Sequence, residues 1–163
     1  MKSIFFYDYP LCWIGIAEED GAICRVFFTG EEYIVPGAKL SSPLAGFILS
    51  ESPLIKKAAA QLTEYFYGKR KEFDLPLSLH GTDFQISVWK ALEKIPYGKT
   101  CSYGELAASV GNPKACRAVG MANNRNPIVI IIPCHRVIGS DGTLTGYGGG
   151  LTLKRQILEL ESK

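Results

Sequence analysis

Cys134 and His135 stand side by side in the stretch IIPCHRVIG, residues 131–139. A cysteine beside a histidine can be a nucleophile beside its base, half of a metal site, or chance. Pro133 and Arg136 flank the pair, and a buried strand needs neither. A thiol is a poor nucleophile near neutral pH and its thiolate a good one, so activation requires a base or a nearby positive charge. Neighbouring side chains on an extended strand point to opposite sides, so His135 is expected to reach the sulfur through a bridging water. A third group should then hold the imidazole. Glu161 is the candidate. Leu151, Lys154, Leu158 and Glu161 recur at helical steps and share a face, with Ile157 and Leu160 beside it. A frayed, solvated glutamate near the C-terminus is an equally good reading of Glu161.

The other cysteines and the second histidine offer less. The five cysteines form no CxxC pair, and their odd number does not suit a disulfide framework. Cys12, Cys24 and His80 match no short ligand spacing, so no metal is expected. The apolar, charged and aromatic fractions (47%, 21% and 11%) are ordinary for a globular protein. No apolar run approaches a membrane span, and Asp8 and Pro10 interrupt the N-terminal apolar stretch. A cytoplasmic protein with reduced thiols and no membrane partner is expected.

The elements that must position Cys134 fall into two halves. Residues 3–28 read as strands, with a turn at Glu18–Gly21. A helix follows from Pro53, capped by Ser52, with Ile55, Ala58, Ala59, Leu62, Tyr65 and Phe66 at helical spacing and Gly68 at its end. Residues 69–81 read as a linker, with Pro76 opposing helix, which places a domain boundary there: 1–78 and 79–163. Beyond it, Thr82 caps a helix carrying Phe84, Val88, Ala91, Leu92 and Ile95. Ser102 and Glu105 form a capping box for a helix over about 103–110. Gly111-Asn112-Pro113 leads into the next helix, KACRAVGMANN, so the pair suits a helix-turn-helix or a plain helical hairpin. Residues 128–132, IVIII, read as a short buried strand. Asp141-Gly142 marks a hairpin turn, and GYGGG a close-approach loop before the last helix.

Charge divides along the same line. Residues 1–80 carry eight basic and ten acidic side chains, and residues 81–163 carry ten and six. Lys114, Arg117, Arg125 and Arg136 lie in an acid-free segment between Glu105 and Asp141. That is the footprint a polyanion requires. A solvated basic face is the simpler reading of charge alone. The helix-turn-helix pattern shifts the balance towards DNA.

Residues 80–161, through SYGELA, GNPKACRAVG and PCHRVIG, closely resemble the O6-alkylguanine-DNA alkyltransferases, also called methylated-DNA–protein-cysteine methyltransferases. The resemblance implies an N-terminal α/β domain of RNase H-like fold and a mainly α, winged-helix C-terminal domain. It implies direct-reversal DNA repair in which Cys134 takes the alkyl group from guanine O6, and from O4-alkylthymine, once per molecule. In that scheme His135 deprotonates Cys134 through water and Glu161 orients His135. Tyr103 donates towards the leaving guanine, and Asn126 fixes the turn between the DNA-binding helix and the active-site strand. Val137, Tyr147 and the backbone N–H of Gly148 line the base site, with Lys154 near it. Gly148 stands where the family often has serine, which removes a hydroxyl but keeps the N–H.

The second helix of the helix-turn-helix would enter the minor groove, where Ala115, Ala118 and Gly120 allow close approach. Arg117 would occupy the space left by a flipped nucleotide, and Lys114 and Arg125 would contact phosphate. The implied partner is double-stranded DNA bearing O6-alkylguanine, bound by a monomer without a cofactor. Some relatives bind zinc in the N-terminal domain, but the ligand set here is incomplete. Two rivals remain at this point. One is a DNA-independent cysteine hydrolase using Cys134, His135 and Glu161. The other is a DNA-binding regulator without catalysis, which the presence of Cys134 opposes.

Overall fold

Hairpin chemistry builds the first half of the chain. The computed structural model describes residues 2–29, 44–147 and 149–163. In it, β1 (Lys2–Asp8), β2 (Trp13–Glu19) and β3 (Ala22–Thr29) form an antiparallel meander, and β4 (Ile48–Leu49) pairs parallel to β1. Asp20 and Gly21 both take positive φ (51° and 82°), the backbone a tight two-residue hairpin requires. Ile4, Ile14, Ile16 and Val26 are fully buried on these strands. Each contributes about 1.5–3 kcal/mol by leaving water. At Gly15 a side chain is excluded, because a Cβ would lie 2.5 Å from the Phe27 ring on β3.

Helix α1 (Pro53–Phe66) begins as the sequence predicts: Ser52 Oγ accepts from Ile55 N, and Pro53 occupies the first turn. Its apolar stripe is buried, and the Tyr9 hydroxyl donates to Ala59 O at 2.7 Å. The segment read as a linker is partly structural. Leu77 bridges to Ile23, with Ile23 N donating to Pro76 O and Ser78 N to Ile23 O, both at 2.8 Å. Pro76 lacks an N–H but keeps an acceptor, so it can end a sheet edge without losing that bond.

The chain divides into two compact units, Met1–Ser78 and Leu79–Lys163. The second is built from α2 (Asp83–Leu92), α3 (Tyr103–Ser109), α4 (Cys116–Asn124) and α5 (Leu151–Glu161), with a two-stranded parallel ladder of β5 (Cys101–Ser102) and β6 (Val137–Ile138). Thr82 and Gln85 form a reciprocal capping box at α2. Ile95 falls outside that helix, which stops at Leu92. At α3 only half of the expected box forms, Ser102 Oγ accepting from Glu105 N at 3.0 Å. Gly111, at φ 81°, ends α3 and turns the chain towards α4. Lys114 and Ala115 precede α4 rather than open it. Trp89 on α2 is buried and donates Nε1–H to Ala122 O on α4 at 2.8 Å. Among the described residues, no helix is long and apolar enough to cross a membrane.

Residues 128–132 are not the strand that their composition predicts. Val129 and Ile132 bridge across a tight turn, and Ile130 sits at φ 69°. A β-branched residue is strained there, at a cost of about 1–3 kcal/mol. Burial of Ile128, Ile130 and Ile132 offsets it. An apolar run marks burial but not backbone shape.

Candidate active site

Cys134, His135 and Arg136 form a single 3₁₀ turn, not an extended strand, and all three are buried. Asn126 prepares this turn. Its Nδ2 donates to Ile132 O at 2.6 Å and its Oδ1 accepts from Ile128 N at 3.0 Å, closing the loop before Pro133. Asn123, on the buried side of α4, donates Nδ2–H to Cys134 O at 3.4 Å. The backbone of the cysteine is thus tied to the helix that ends ten residues before it.

Glu161 is the third group. Its Oε2 lies 2.7 Å from His135 Nε2, and both side chains are buried. The solvated-glutamate reading is therefore excluded. A carboxylate accepts only, so Nε2 carries the proton and Nδ1 the lone pair. Nδ1 is buried and has no hydrogen-bond partner among the described residues. Arg136 grips the same carboxylate through Nε to Oε1 at 2.8 Å and Nη2 to Oε2 at 3.0 Å. Its Nη1 donates to Ile95 O at 2.6 Å, and its guanidinium lies over the Tyr97 ring. Glu161 ends α5, where the helix dipole disfavours an anion, and the bidentate arginine compensates. The buried stripe of α5 runs Leu153, Lys154, Ile157 and Glu161, while Leu151 is exposed.

Lys154 is fully buried. Its Nζ donates to Val137 O at 2.6 Å and to Thr145 O at 2.8 Å, and no carboxylate pairs with it among the described residues. Tyr103, at the start of α3, donates to Thr145 O, and Thr145 Oγ1 donates back to the phenol oxygen, each at 3.3 Å. Val137 is buried in β6 and Tyr147 half-buried in the loop before α5; Gly148 lies outside the described residues.

These surroundings set the protonation states. Burial pushes the Cys134 thiol up to about 11, a rise that hydrogen bonding from Asn126 and the charge of Lys154 partly offset. Burial also holds His135 below its ordinary value, with Glu161 opposing and the Arg136 and Lys154 charges assisting. At neutral pH the pair is a thiol beside a neutral imidazole with a free lone pair. The Cys134 thiol therefore ionises only when its proton has somewhere to go.

The exposed face of α4 carries Arg117, Ala118, Met121 and Arg125, with Lys114 exposed in the preceding turn. Val119, Ala122 and Asn123 form the buried face. Gly120 turns inward: a Cβ there would lie 3.7 Å from the Tyr103 ring. Ala115, half-buried, is the residue before the helix. Among the described residues, no group of three or more His, Cys, Asp or Glu is gathered to hold a metal ion.

The chain matches two family models. Residues 5–79 match the ribonuclease-like domain of 6-O-methylguanine DNA methyltransferase, and residues 83–163 match its DNA-binding domain. A constitutive methylated-DNA–protein-cysteine methyltransferase of Bacillus subtilis is 48% identical over 155 residues, 94% of this chain and 92% of that one. This chain belongs to the methylated-DNA–protein-cysteine methyltransferase family. Its fold is accordingly the family's, a ribonuclease-like α/β domain followed by a helical DNA-binding domain. Another family member, from Methanosarcina barkeri, is 61% identical over 113 residues, 69% of this chain and 72% of that one. The crystal structure of Mycobacterium tuberculosis O6-methylguanine methyltransferase superposes with TM-score 0.87 at 43% identity, covering 99% of this chain and 93% of that one. A structure of Mycobacterium tuberculosis OGT in complex with DNA gives TM-score 0.86 at 43% identity, covering 98% and 92%.

Against the sequence expectations, the structure gathers Cys134, His135, Glu161, Asn126, Lys154 and Val137 around one turn, with Tyr103 linked to Lys154 through Thr145. Arg117, Ala118, Arg125 and Lys114 lie apart from it, on the exposed surface. Sequence reasoning missed the grip of Arg136 on Glu161, the tie from Asn123 and the placement of Thr145. For Arg136 a signal existed, because a buried carboxylate requires a cation. Asn123 and Thr145 carry no local signal.

Proposed function

We propose that this protein repairs alkylated DNA by transferring the alkyl group from guanine O6, and from O4-alkylthymine, to Cys134. The observation that carries the reading is the buried run from Cys134 through the neutral imidazole of His135 to Glu161, in a chain of this family. Cys134 is 3% exposed, so an alkyl carbon must be brought to it rather than met at the surface. Extrusion of the nucleotide from the duplex supplies that approach. His135 takes the thiol proton through a water at Nδ1, and Glu161 keeps the ring in the required tautomer. The sulfur attacks the alkyl carbon as the carbon–oxygen bond breaks, leaving the electron pair on the base. Lys154 provides positive charge near the forming thiolate, and Tyr103 gives its phenolic proton to the departing base. Val137 and Tyr147 bound the base site.

The product is a thioether, which neither water nor cellular reductants cleave, so each molecule acts once. Arg117 fills the space vacated in the duplex, and Ala115 and Ala118 keep the approach to the groove free of bulk; Gly120, which faces the Tyr103 ring, does not share that role. Lys114 and Arg125 hold phosphates. The curated relatives named above are called methylated-DNA–protein-cysteine methyltransferases, which favours transfer to the cysteine over hydrolysis.

Intact-protein mass after exposure to duplex DNA containing O6-methylguanine tests the reading. One methyl group should appear per protein, on Cys134, and none after exposure to unmodified duplex. Cys134→Ala should retain DNA binding and lose transfer. Product release beyond one equivalent, or transfer by the alanine variant, overturns it.

A further inference from the structure

The loop before α5 places one side chain in a position no catalytic scheme above uses. Thr145 meets Tyr103 twice: its hydroxyl donates to the phenol oxygen and its carbonyl accepts the phenol proton, each at 3.3 Å. The same carbonyl accepts from the buried Lys154 ammonium at 2.8 Å. We propose that Thr145 is a positioning residue for alkyl transfer, acting through Tyr103 and stabilising the phenolate that forms when Tyr103 protonates the departing base. The inference rests on the proton-donor role proposed for Tyr103.

The physical argument follows the proton. During transfer the sulfur–carbon bond forms and the carbon–oxygen bond breaks, and its electron pair goes to the base. The Tyr103 O–H bond then breaks and its proton follows to the base, while the Cys134 proton resides on His135. The phenol oxygen is left anionic until water returns a proton. A hydroxyl already donating to that oxygen becomes a charge-assisted donor, about twice as strong as a neutral one. It needs no rearrangement as charge develops, which is the condition for electrostatic stabilisation of a transition state. The carbonyl of Thr145 has two lone pairs, so it can hold Lys154 and the phenol together. That shared acceptor holds the phenol O–H in the resting protein; the O–H turns from it to the base when the base is bound, while the Thr145 hydroxyl keeps its bond to the phenol oxygen. Lys154, on the same carbonyl, places its positive charge close to where the phenolate appears.

Single-turnover rates on duplex DNA containing O6-methylguanine test this with Thr145→Val, Thr145→Ser, Tyr103→Phe and the double variant Thr145→Val/Tyr103→Phe. Thr145 is exposed, so the valine variant should fold. Valine keeps the backbone carbonyl and the volume but removes the hydroxyl. It should slow transfer about fivefold to tenfold with unchanged DNA affinity, a loss matching the gain expected when a neutral hydrogen bond becomes a charge-assisted one. Serine should recover most of the rate. The double variant should be no slower than Tyr103→Phe alone, because the hydroxyl has nothing left to stabilise.

A Tyr103→Phe variant that transfers at the parent rate overturns the Tyr103 role, and this inference with it. If Tyr103→Phe is slow but Thr145→Val is not, the inference alone fails. It also fails if valine slows the phenylalanine variant further, or if serine is as slow as valine.

Discussion

At the scale of single residues, burial decides the chemistry. His135 is enclosed, so its charged form is disfavoured and its pKa lies below the ordinary value. In the unfolded chain it titrates near the usual value of about 6.5. The folded pKa is the lower, so the stabilising contribution is fully present above about 6.5 and is lost as pH falls through the folded value. Thermal unfolding between neutral and acidic pH should show this decline, and His135→Gln should flatten it. The transfer rate should fall over the same acidic range, since a protonated His135 cannot accept the thiol proton. Glu161→Gln tests the partner. It would leave the buried Arg136 without its counter-charge and cost about 3–5 kcal/mol, measurable by denaturant unfolding. Retained stability in that variant would show that Ile95 O and the Tyr97 ring suffice for the guanidinium.

At the scale of elements, a loop holds Cys134 and two hydrogen bonds of one side chain hold the loop. Asn126 bonds Ile132 O and Ile128 N, and it lowers the Cys134 pKa through its own hydrogen bond. Asn126→Ala should destabilise the protein by about 1–3 kcal/mol, because buried backbone groups lose their partners. It should slow transfer while DNA affinity stays close to the parent, and side-by-side measurement of the two separates the loop from the binding face. Trp89 plays the structural counterpart. Its indole joins α2 to α4, and Trp89→Ala should cost about 3–5 kcal/mol in unfolding free energy. The caps at Ser52, Thr82 and Ser102 are readable in the sequence because donor and acceptor lie three residues apart. The turn at Ile130 is not, because IVIII carries the composition of a strand and lacks glycine at its positive-φ position.

At the scale of the whole molecule, charge is unequally distributed. The last 83 residues carry ten basic and six acidic side chains, and the exposed face of α4 and the turn before it carry Lys114, Arg117 and Arg125. Binding to duplex DNA should weaken linearly on a logarithmic scale of salt concentration as counterions are released. Lys114→Ala and Arg125→Ala should each reduce the salt slope by about one, equally on alkylated and unmodified duplex. A variant that loses affinity only for alkylated DNA would move that residue from phosphate contact to lesion recognition. Titrations at several salt concentrations read both quantities.

Local patterns in the chain determine the three starting strands, the helix caps, the helix-turn-helix and the adjacent Cys134 and His135. Each depends on residues within a few positions of one another, where geometry follows from backbone periodicity. Glu161 could be narrowed to a face but not paired, since 26 residues separate it from His135. Packing of α5 on that turn made the choice, because a buried carboxylate needs donors and a counter-charge, and the His135 N–H and the Arg136 guanidinium both lie there. Folding likewise put the pair on a 3₁₀ turn instead of a strand and brought Thr145 against Tyr103 across 42 positions. Contacts over such distances depend on how whole elements pack, and no local spacing encodes them.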